Sequence, residues 1–405
     1  MASTGREGWT SAARRLVPFA LVVLALSARG GELSLVLQRL ESGPPVSRLT
    51  YLPRFTEIAD AGGRPYRDFP VEYPPVSLAA IEFVAGKDPN ETGVRLVWLM
   101  VLCDALTAAA LALGWGRRAS VAYLALTVPL LGFLYTTIDL LPVALATASV
   151  ALVVRGRERA GGLAMAAAVL AKVWPIAVVP LFVVQRKARA LGWTVGGLVV
   201  SVAWWVVWGG MSGPIQVATQ RHTPGWEYES TVGSLLWAFT GEEIRSVNDS
   251  SRLGVAPGWA KALLLAAAVA GIVAVWRRAA AQRSPEVGFP ALAAVSILLL
   301  SAPLLSHPFV IWLAPWAAIA ASERRGYVRA LAVALMLVSG LLVVSYSSAL
   351  PEVALWSVKL TLLLRNALIA AIPVAYFLER QTTSVVAVGP QRAYTRVKIR
   401  PSASS

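Results

Sequence analysis

The sequence predicts an all-α polytopic membrane protein with about ten full transmembrane helices and a re-entrant helical hairpin. Hydrophobic residues make up 57% of its 405 residues and charged residues only 15%, whereas soluble proteins carry roughly 25% charge. The mean hydropathy of +0.62 agrees with this class. The net charge of +15 comes from short basic clusters between apolar runs, so we interpret it as a topology signal and not as a nucleic-acid surface.

The cysteine and histidine content limits the chemistry that the chain can perform. Cys103 is the only cysteine and lies in an apolar run, which excludes an intramolecular disulfide and a cysteine-rich metal site. Two histidines, His222 and His307, argue against a histidine-built metal centre. We therefore predict no metal ligands, and we leave open whether a divalent metal assists.

The predicted membrane helices follow from the length of each apolar run and are oriented by arginine and lysine. The ten spans are residues 15–37, 92–113, 119–136, 139–154, 191–209, 258–276, 288–304, 307–322, 327–349 and 354–378. With a cytoplasmic N-terminus every short basic cluster lies inside, and two long loops, 38–91 and 210–257, lie outside. We predict one transmembrane domain over residues 1–378. Residues 379–405 then form a disordered basic cytoplasmic tail, which meets the anionic headgroups of the inner leaflet.

The re-entrant hairpin is predicted from two basic clusters that both require the cytoplasmic side. The clusters are RGRER at 155–159 and QRKARA at 185–190. About 25 residues separate them, and one crossing, which needs roughly 20, would place one cluster outside. Two half-helices, 161–171 and 173–184, broken at Lys172 and Pro175, bring the chain back to the same side.

The first outer loop contains the segment RPYRDFPVEYPP at residues 64–75. Pro70, Pro74 and Pro75 disfavour a helix within this segment, and a helix could begin at Pro75. Asp68 and Glu72 are its carboxylates, and a carboxylate near cations and hydroxyls suits general-base work on a sugar hydroxyl. The alternative is an exposed structural loop whose charges pair with one another. The flanking candidates for substrate or phosphate contact are Arg54, Tyr66, Arg67 and Tyr73.

Other polar residues stand out against apolar surroundings. Lys172 contacts an anion or extends to the membrane interface, since a charged lysine at the membrane centre costs about 2.5–3.5 kcal/mol. Asp139 is a candidate for substrate or phosphate contact, or it caps the helix that follows it. Glu229, within WEYES at 226–230, and His307, within SHPFVIWLAPW, are site candidates or ordinary interfacial and structural residues. Arg29 is expected to pair with Glu32, three residues along the same helix.

Four stretches in this order resemble glycosyltransferase family 87, the polyprenyl-phosphate-sugar-dependent GT-C mannosyl- and arabinosyltransferases of actinobacteria. The stretches are GGRPYRDFPVEYPP, IDLLPVALATASVALVVRGRERAGGLAMAAAVLAKVWPIAVVP, WEYES and SHPFVIWLAPW. Their order and spacing match the family from about residue 50 to 320. The resemblance implies a GT-C-like helical bundle in the plasma membrane.

The resemblance also implies a reaction and its partners. The enzyme would move a sugar from a polyprenyl-phosphate donor to a glycolipid or cell-wall glycan acceptor at the outer face, with inversion at the sugar. An acidic residue of the first outer loop would be the base: Asp68 is preferred, and Glu72 is a second acid. Lys172 and Arg67 would hold the donor phosphate.

The chain departs from the family at one position. Members often carry an aspartate a few residues before a tyrosine that resembles Tyr51, and Ser47 and Arg48 stand there in this chain. Either Asp68, Glu72 or Asp60 takes the role of base, or the protein is an inactive scaffold for envelope assembly. A transporter or flippase of lipid-linked sugars is the other alternative.

Overall fold

The computed structural model describes residues 4–42, 52–219, 224–247, 250–282, 286–323, 326–347 and 351–379. The predicted tail, apart from residue 379, and the positions of Ser47, Arg48 and Tyr51 lie outside these ranges. The helices in chain order are α1 Thr4–Ser42, α2 Leu52–Asp60, α3 Pro75–Val84, α4 Pro89–Trp115, α5 Arg117–Leu126, α6 Leu131–Leu134, α7 Leu140–Val154, α8 Glu158–Ala171, α9 Pro180–Val184, α10 Ala188–Gly209, α11 Ser212–Thr219, α12 Thr231–Phe239, α13 Gly258–Ala280, α14 Gly288–Ser301, α15 Ala314–Glu323, α16 Tyr327–Ser347 and α17 Pro351–Leu378.

The prediction of an all-α polytopic membrane protein is confirmed. Within the described ranges, six helices are long and apolar enough to cross a membrane: Val17–Ser42, Pro89–Trp115, Arg117–Leu134, Ala188–Gly209, Gly258–Ala280 and Leu355–Leu378. Further apolar helices, among them Leu140–Val154 and Gly288–Ser301, are shorter than a full span. The predicted number of ten spans therefore stays a prediction.

The centre of the bundle consists of α14 and α15. Ala314 to Ala321 are all buried, and so are most residues of α14. A helix that is apolar on every side is typical of such a central position. Gly288 allows the two helices to approach closely, because a Cβ on it would lie 2.3 Å from the backbone nitrogen of Ala320. By contrast, α10 and α13 have most of their surface exposed and form the periphery.

Both predicted outer loops contain secondary structure. The first includes α2 and α3, and the second includes α11, α12 and an antiparallel sheet. The strands are β1 Trp226–Glu227, β2 Arg245–Val247 and β3 Ser250–Leu253, in the order β1-β3-β2. Trp226 pairs with Leu253, and the backbone N–H of Glu227 donates to the Pro303 carbonyl at 3.0 Å. This bond ties the second loop to the segment that follows α14.

The segment between the two basic clusters leaves one end of the bundle and returns to it, as the re-entrant prediction requires. It consists of α8, a break at Lys172, a 3₁₀ turn at Trp174–Ala177, and α9. Lys187 Nζ lies 3.5 Å from Glu158 Oε1, which joins the two clusters. Thr194 of α10 donates to the Gly162 carbonyl of α8 at 3.1 Å, so the N-terminal parts of these helices lie side by side.

The two turns at this end have the same hydrogen-bond pattern. Arg157 N–H donates to the Leu152 carbonyl at 2.8 Å, and Lys187 N–H donates to the Phe182 carbonyl at 2.7 Å. Each turn needs a left-handed residue, as in the Schellman motif. Gly156 occupies the left-handed position in the first turn, with a φ of 79°. Arg186 occupies the equivalent position in the second turn, with a φ of 57°.

The expected pairing of Arg29 with Glu32 is wrong. Arg29 Nε donates to Asp104 Oδ2 of α4 at 2.7 Å, and Arg29 also bonds Thr127 and the Leu124 carbonyl. A guanidinium buried among helices must satisfy five donors, which one carboxylate on its own helix does not do. The partners therefore come from neighbouring helices, and Tyr123 also donates to Asp104 at 2.7 Å.

Candidate functional site

The first outer loop is irregular between α2 and α3, as its prolines predict, and Tyr66 anchors it. Its side chain is buried and makes edge contacts with Trp205 and Trp208 of α10 at ring distances of 5.2 and 6.2 Å. The Tyr66 hydroxyl donates to the Tyr73 carbonyl at 2.5 Å. Its φ of 68° is rare for an aromatic residue, and the surrounding contacts hold it there.

One glutamine of α11 fixes the loop from the other side. Gln216 Nε2 donates to the Tyr66 carbonyl at 2.9 Å, while Gln216 Oε1 accepts from the Val71 N–H at 2.9 Å. Ser212 donates to the same Tyr66 carbonyl at 2.8 Å. The loop is thus held at two points about five residues apart, on either side of Asp68.

The two loop carboxylates have different surroundings. Asp68 is exposed, and its Oδ2 accepts the Arg64 backbone N–H at 2.6 Å. Glu72 is half-buried and lies 3.4 Å from Arg54 Nη2, which also donates to the Pro70 carbonyl at 2.7 Å. Arg54 therefore partly neutralises Glu72, whereas the contact found for the Asp68 carboxylate among the described residues is with the backbone. Arg67 is exposed, and the Tyr73 ring packs edge-on against Phe55 at 5.6 Å.

Lys172 and Asp139 form an ion pair at the break between the half-helices. Lys172 Nζ donates to Asp139 Oδ1 at 2.5 Å, and Trp312 Nε1 donates to the same oxygen at 2.8 Å. The Lys172 side chain is 26% exposed and the Asp139 side chain 7%. The prediction that Asp139 caps α7 is wrong: it occupies the N-cap position without a capping bond. An unpaired lysine among apolar side chains costs more than an uncapped helix end.

Lys172 also lies over an aromatic stack. Its Nζ is 4.3 Å from the centre of the Phe309 ring and 4.9 Å from that of Trp312. Phe309 and Trp312 belong to the 3₁₀ helix His307–Leu313, where side chains three residues apart eclipse each other, and their rings stack at 4.3 Å. Trp174 stacks on Trp312 at 5.5 Å. The aromatic faces favour a cation at this point.

His307, at the start of the same 3₁₀ helix, belongs to a second polar group. His307 Nδ1 lies 3.0 Å from Glu229 Oε1, and Arg365 Nη1 donates to Glu229 Oε2 at 2.8 Å. Burial would raise the pKa of Glu229, but His307 and Arg365 outweigh it and hold that pKa at about 2. Glu229 is thus an ionised carboxylate. One of its oxygens contacts Arg365, and the other orients the His307 ring.

Of the ten buried side-chain polar atoms that have no hydrogen-bond partner among the described residues, three lie next to the ion pair in sequence. These three are Thr136 Oγ1, Thr137 Oγ1 and Trp174 Nε1. Buried polar atoms are normally paired, so unpaired ones near Lys172 and Asp139 fit a site that receives a polar ligand. In the part of the chain that the structure describes, no group of three or more histidine, cysteine or acidic residues could hold a metal ion.

The site candidates thus fall into two groups. Lys172, Asp139, His307 and Glu229 meet around the 3₁₀ helix His307–Leu313, whereas the carboxylates and cations of the first loop lie beside α10 and α11. Asp68 and Lys172 share no direct contact within the described ranges. The groups are linked by Ser77 of α3, which donates to the Ala171 carbonyl at 2.6 Å.

Sequence reasoning missed Arg365 and Trp312. Arg365 lies in the apolar run of α17 and is fully buried. A charge inside a predicted span indicates a functional or structural partner, so this signal was present in the sequence. Trp312 had no such signal, because tryptophan is common in membrane helices and at their ends.

The sequence model described as glycosyltransferase family 87 matches residues 72–308, more than half of the chain. The matched range includes Glu72, Asp139, Lys172, Glu229 and His307, and it begins just after Asp68. The crystal structure of ArnT from Cupriavidus metallidurans in the apo state is similar over 92% of this chain and 78% of that chain, with 17% sequence identity and a TM-score of 0.37. No curated protein matches the chain in sequence.

Proposed function

Because the chain belongs to glycosyltransferase family 87, we propose that it moves a sugar from a polyprenyl-phosphate donor to a lipid or glycan acceptor at the outer face of the plasma membrane. The protein is a membrane glycosyltransferase. Mannose and arabinose are the sugars that we propose for the donor, and a glycolipid or cell-wall glycan is the acceptor.

The observation that carries this proposal is the partly exposed Lys172 at the break between the half-helices. Its ammonium lies beside aromatic rings and pairs with one buried carboxylate. A cation fixed in apolar surroundings stabilises negative charge that develops on a leaving group. Lys172 therefore contacts the donor phosphate, and Asp139 and Trp312 position it. Arg67 is the second phosphate contact, and Glu229 supports the site by orienting His307.

Asp68 is the proposed base. It accepts the proton of the acceptor hydroxyl while that oxygen forms a bond to the anomeric carbon of the sugar. The bond from this carbon to the phosphate oxygen breaks, and polyprenyl phosphate leaves with the electron pair. Attack from the face opposite the phosphate inverts the anomeric centre. Arg54 holds Glu72, which lies in the same loop as Asp68, and Glu72 orients the acceptor together with Tyr73.

The test of the base is a transfer assay with the full-length protein in lipid. Radiolabelled polyprenyl-phosphate mannose or arabinose is supplied with host lipid extract to the parent protein, to Asp68→Asn and to Glu82→Gln. Glu82 is an exposed acid on α3 and is the matched control. We expect the parent and the control to transfer label to a new glycolipid. With Asp68→Asn the transfer rate should fall by at least about 100-fold.

The assay separates the alternatives. An active Asp68→Asn protein would place the base elsewhere, and Glu72→Gln and Asp60→Asn would then identify it. If the folded parent protein transfers no label from either donor, the transferase proposal fails. Movement of a fluorescent lipid-linked sugar across vesicles would then support a flippase, and its absence a scaffold.

The role of Lys172 is tested in the same assay. Lys172→Met removes the cation, and we expect the turnover rate to fall about 100- to 1,000-fold. Lys172→Arg keeps the charge and should retain part of the activity. Lys261→Met, which removes a lysine from the start of α13, is the control. Equal losses in Lys172→Met and Lys261→Met would contradict a specific phosphate contact.

A further inference from the structure

A cleft of about 690 Å³ lies between the first turns of α8 and α10. It is at the end of the bundle where the two basic clusters meet. Its lining residues are Gly156, Arg157, Glu158, Arg159, Ala160, Leu163, Arg189 and Trp193.

Three arginines give this cleft its charge. Arg157, Arg159 and Arg189 are exposed, and within the described residues none of them pairs with a carboxylate. Glu158 is the only acid of the lining, and Lys187 lies 3.5 Å from it. The guanidinium groups are therefore available to an anion, and their planar donor forks match phosphate oxygens.

Apolar side chains lie directly beside these cations. Leu163 and Trp193 are each 41% exposed, and the Arg159 guanidinium is 4.5 Å from the centre of the Trp193 ring. Tryptophan is typical of the membrane interface. Only 17% of the apolar window of α10 is buried within the protein, so this helix faces lipid. The cleft therefore offers a ligand both cationic groups and an apolar surface. A phospholipid has an anionic headgroup and acyl chains that match both, whereas free phosphate matches only the cationic groups.

The cleft is separate from the proposed active site. It lies at the start of α8, and Lys172 follows the end of that helix, 14 residues later. At 1.5 Å per residue this places the two sites about 20 Å apart, so the donor phosphate at Lys172 does not occupy the cleft.

We propose that this cleft binds the headgroup phosphate of an anionic membrane phospholipid. Arg157, Arg159 and Arg189 bind the phosphate, and Leu163 and Trp193 contact the first part of an acyl chain. Basic pockets between membrane helices commonly take such headgroups. This site goes beyond the glycosyl transfer itself and does not depend on which sugar is moved.

Native mass spectrometry of the full-length protein in detergent tests the proposal. Phosphatidylglycerol, phosphatidylcholine and inorganic phosphate are the probes. The test variant combines three substitutions, Arg157→Gln, Arg159→Gln and Arg189→Gln. The control variant combines Arg117→Gln, Arg118→Gln and Arg277→Gln, and so removes three exposed arginines outside the cleft. We expect phosphatidylglycerol to bind parent and control at least about tenfold more tightly than the variant. An equal loss in the control would show general charge attraction and overturn the site, and so would equal binding of phosphatidylcholine.

The source of the phosphate is decided by competition and by cross-linking of the parent chain. Inorganic phosphate that displaces the lipid at equal concentration would identify a site for free phosphate and overturn the lipid proposal. A photoactivatable phosphatidylglycerol should label peptides with Leu163 or Trp193, and a phosphatidylcholine analogue should not. Labelling confined to other helices would overturn the proposal even if the arginine variant does not fold.

Discussion

Two neighbouring carboxylates of the second outer loop have opposite protonation behaviour. Glu229 is held ionised by His307 and Arg365, with a pKa of about 2 against the burial that would raise it. Burial raises the pKa of Glu227 to about 7, because a hydrogen bond from Ser250 and the charge of Arg252 offset it only in part. Arg252 Nε is 3.8 Å from Glu227 Oε2, which is a long ion pair. The same loop therefore contains one permanent anion and one group that titrates near neutral pH.

The raised pKa of Glu227 predicts that the loop loses stability as pH rises. The folded protein holds this proton up to about pH 7, whereas the unfolded chain releases it near 4.5. The stabilisation is complete below pH 4.5 and is lost as pH rises through 7. Glu227→Gln keeps a neutral side chain, so relative to the parent it should gain stability between pH 4.5 and 8, on the order of 1–3 kcal/mol.

Thermal midpoints of the parent and Glu227→Gln in detergent at several pH values measure this difference. Glu242→Gln, an exposed acid of the same loop, is the control and should follow the parent. A constant difference between Glu227→Gln and the parent from pH 4.5 to 8 would contradict the buried, protonated state.

At the scale of single elements, α11 determines the shape of the first outer loop. Gln216 contacts both the Tyr66 carbonyl and the Val71 N–H, and Asp68 lies between these two points. Apart from turns and an isolated β-bridge between Pro65 and Phe69, residues 61–74 have no regular backbone pairing, so the Gln216 side chain replaces partners that a helix or strand would provide. The position of Asp68 therefore depends on an element more than 140 residues away, since Gln216 and Val71 are 145 residues apart.

Removing the Gln216 side chain should release the loop without unfolding the bundle. In Gln216→Ala the Val71 N–H loses its acceptor, and we expect its hydrogen exchange to accelerate about tenfold. Exchange in α4 should not change. Peptide-level hydrogen–deuterium exchange measures both, with Gln282→Ala, two residues after the end of α13, as the control. Unchanged exchange at residues 64–73 would show that Tyr66 alone holds the loop.

At the scale of the whole molecule, the two ends of the bundle differ. The two structured loops that are predicted to lie outside are at one end, with the second tied to the segment after α14, and the two basic clusters meet at the other end. This asymmetry suits an enzyme whose site opens to one face. The orientation in the membrane follows from the positive-inside rule, and it is a prediction that labelling can check.

Cysteine accessibility in intact cells tests the orientation. Cys103 is buried and is the only native cysteine, so a Cys103→Ser background leaves each introduced thiol as the single target. We expect an impermeant maleimide to label Glu242→Cys in intact cells, and Ala188→Cys only after permeabilisation, because a charged reagent does not cross the bilayer. Labelling of Ala188→Cys in intact cells would reverse the orientation and place the proposed active site inside.

The class of the protein and the return of the segment between the basic clusters could be predicted from the amino-acid sequence. Apolar length, charge clusters and proline positions are local properties, and a bilayer acts on each segment through them. The four stretches that resemble family 87 likewise gave the family, and they gave Lys172, Asp139, Glu229 and His307 as candidates. The local pattern did not give the partner of any of these residues.

The partners of these residues became known from the three-dimensional fold. Each of these ion pairs joins residues that are far apart in the sequence. The separation is 33 residues for Lys172 and Asp139, 75 for Arg29 and Asp104, and 136 for Arg365 and Glu229. Sequence reasoning placed Asp139 in a helix cap and Arg29 beside Glu32, because it considers only near neighbours. Which helix faces meet depends on close packing among many apolar side chains, such as the contact of Gly288 with α15. Buried charges then take the partner that this packing brings within reach, since a charge left unpaired away from water is the more costly arrangement.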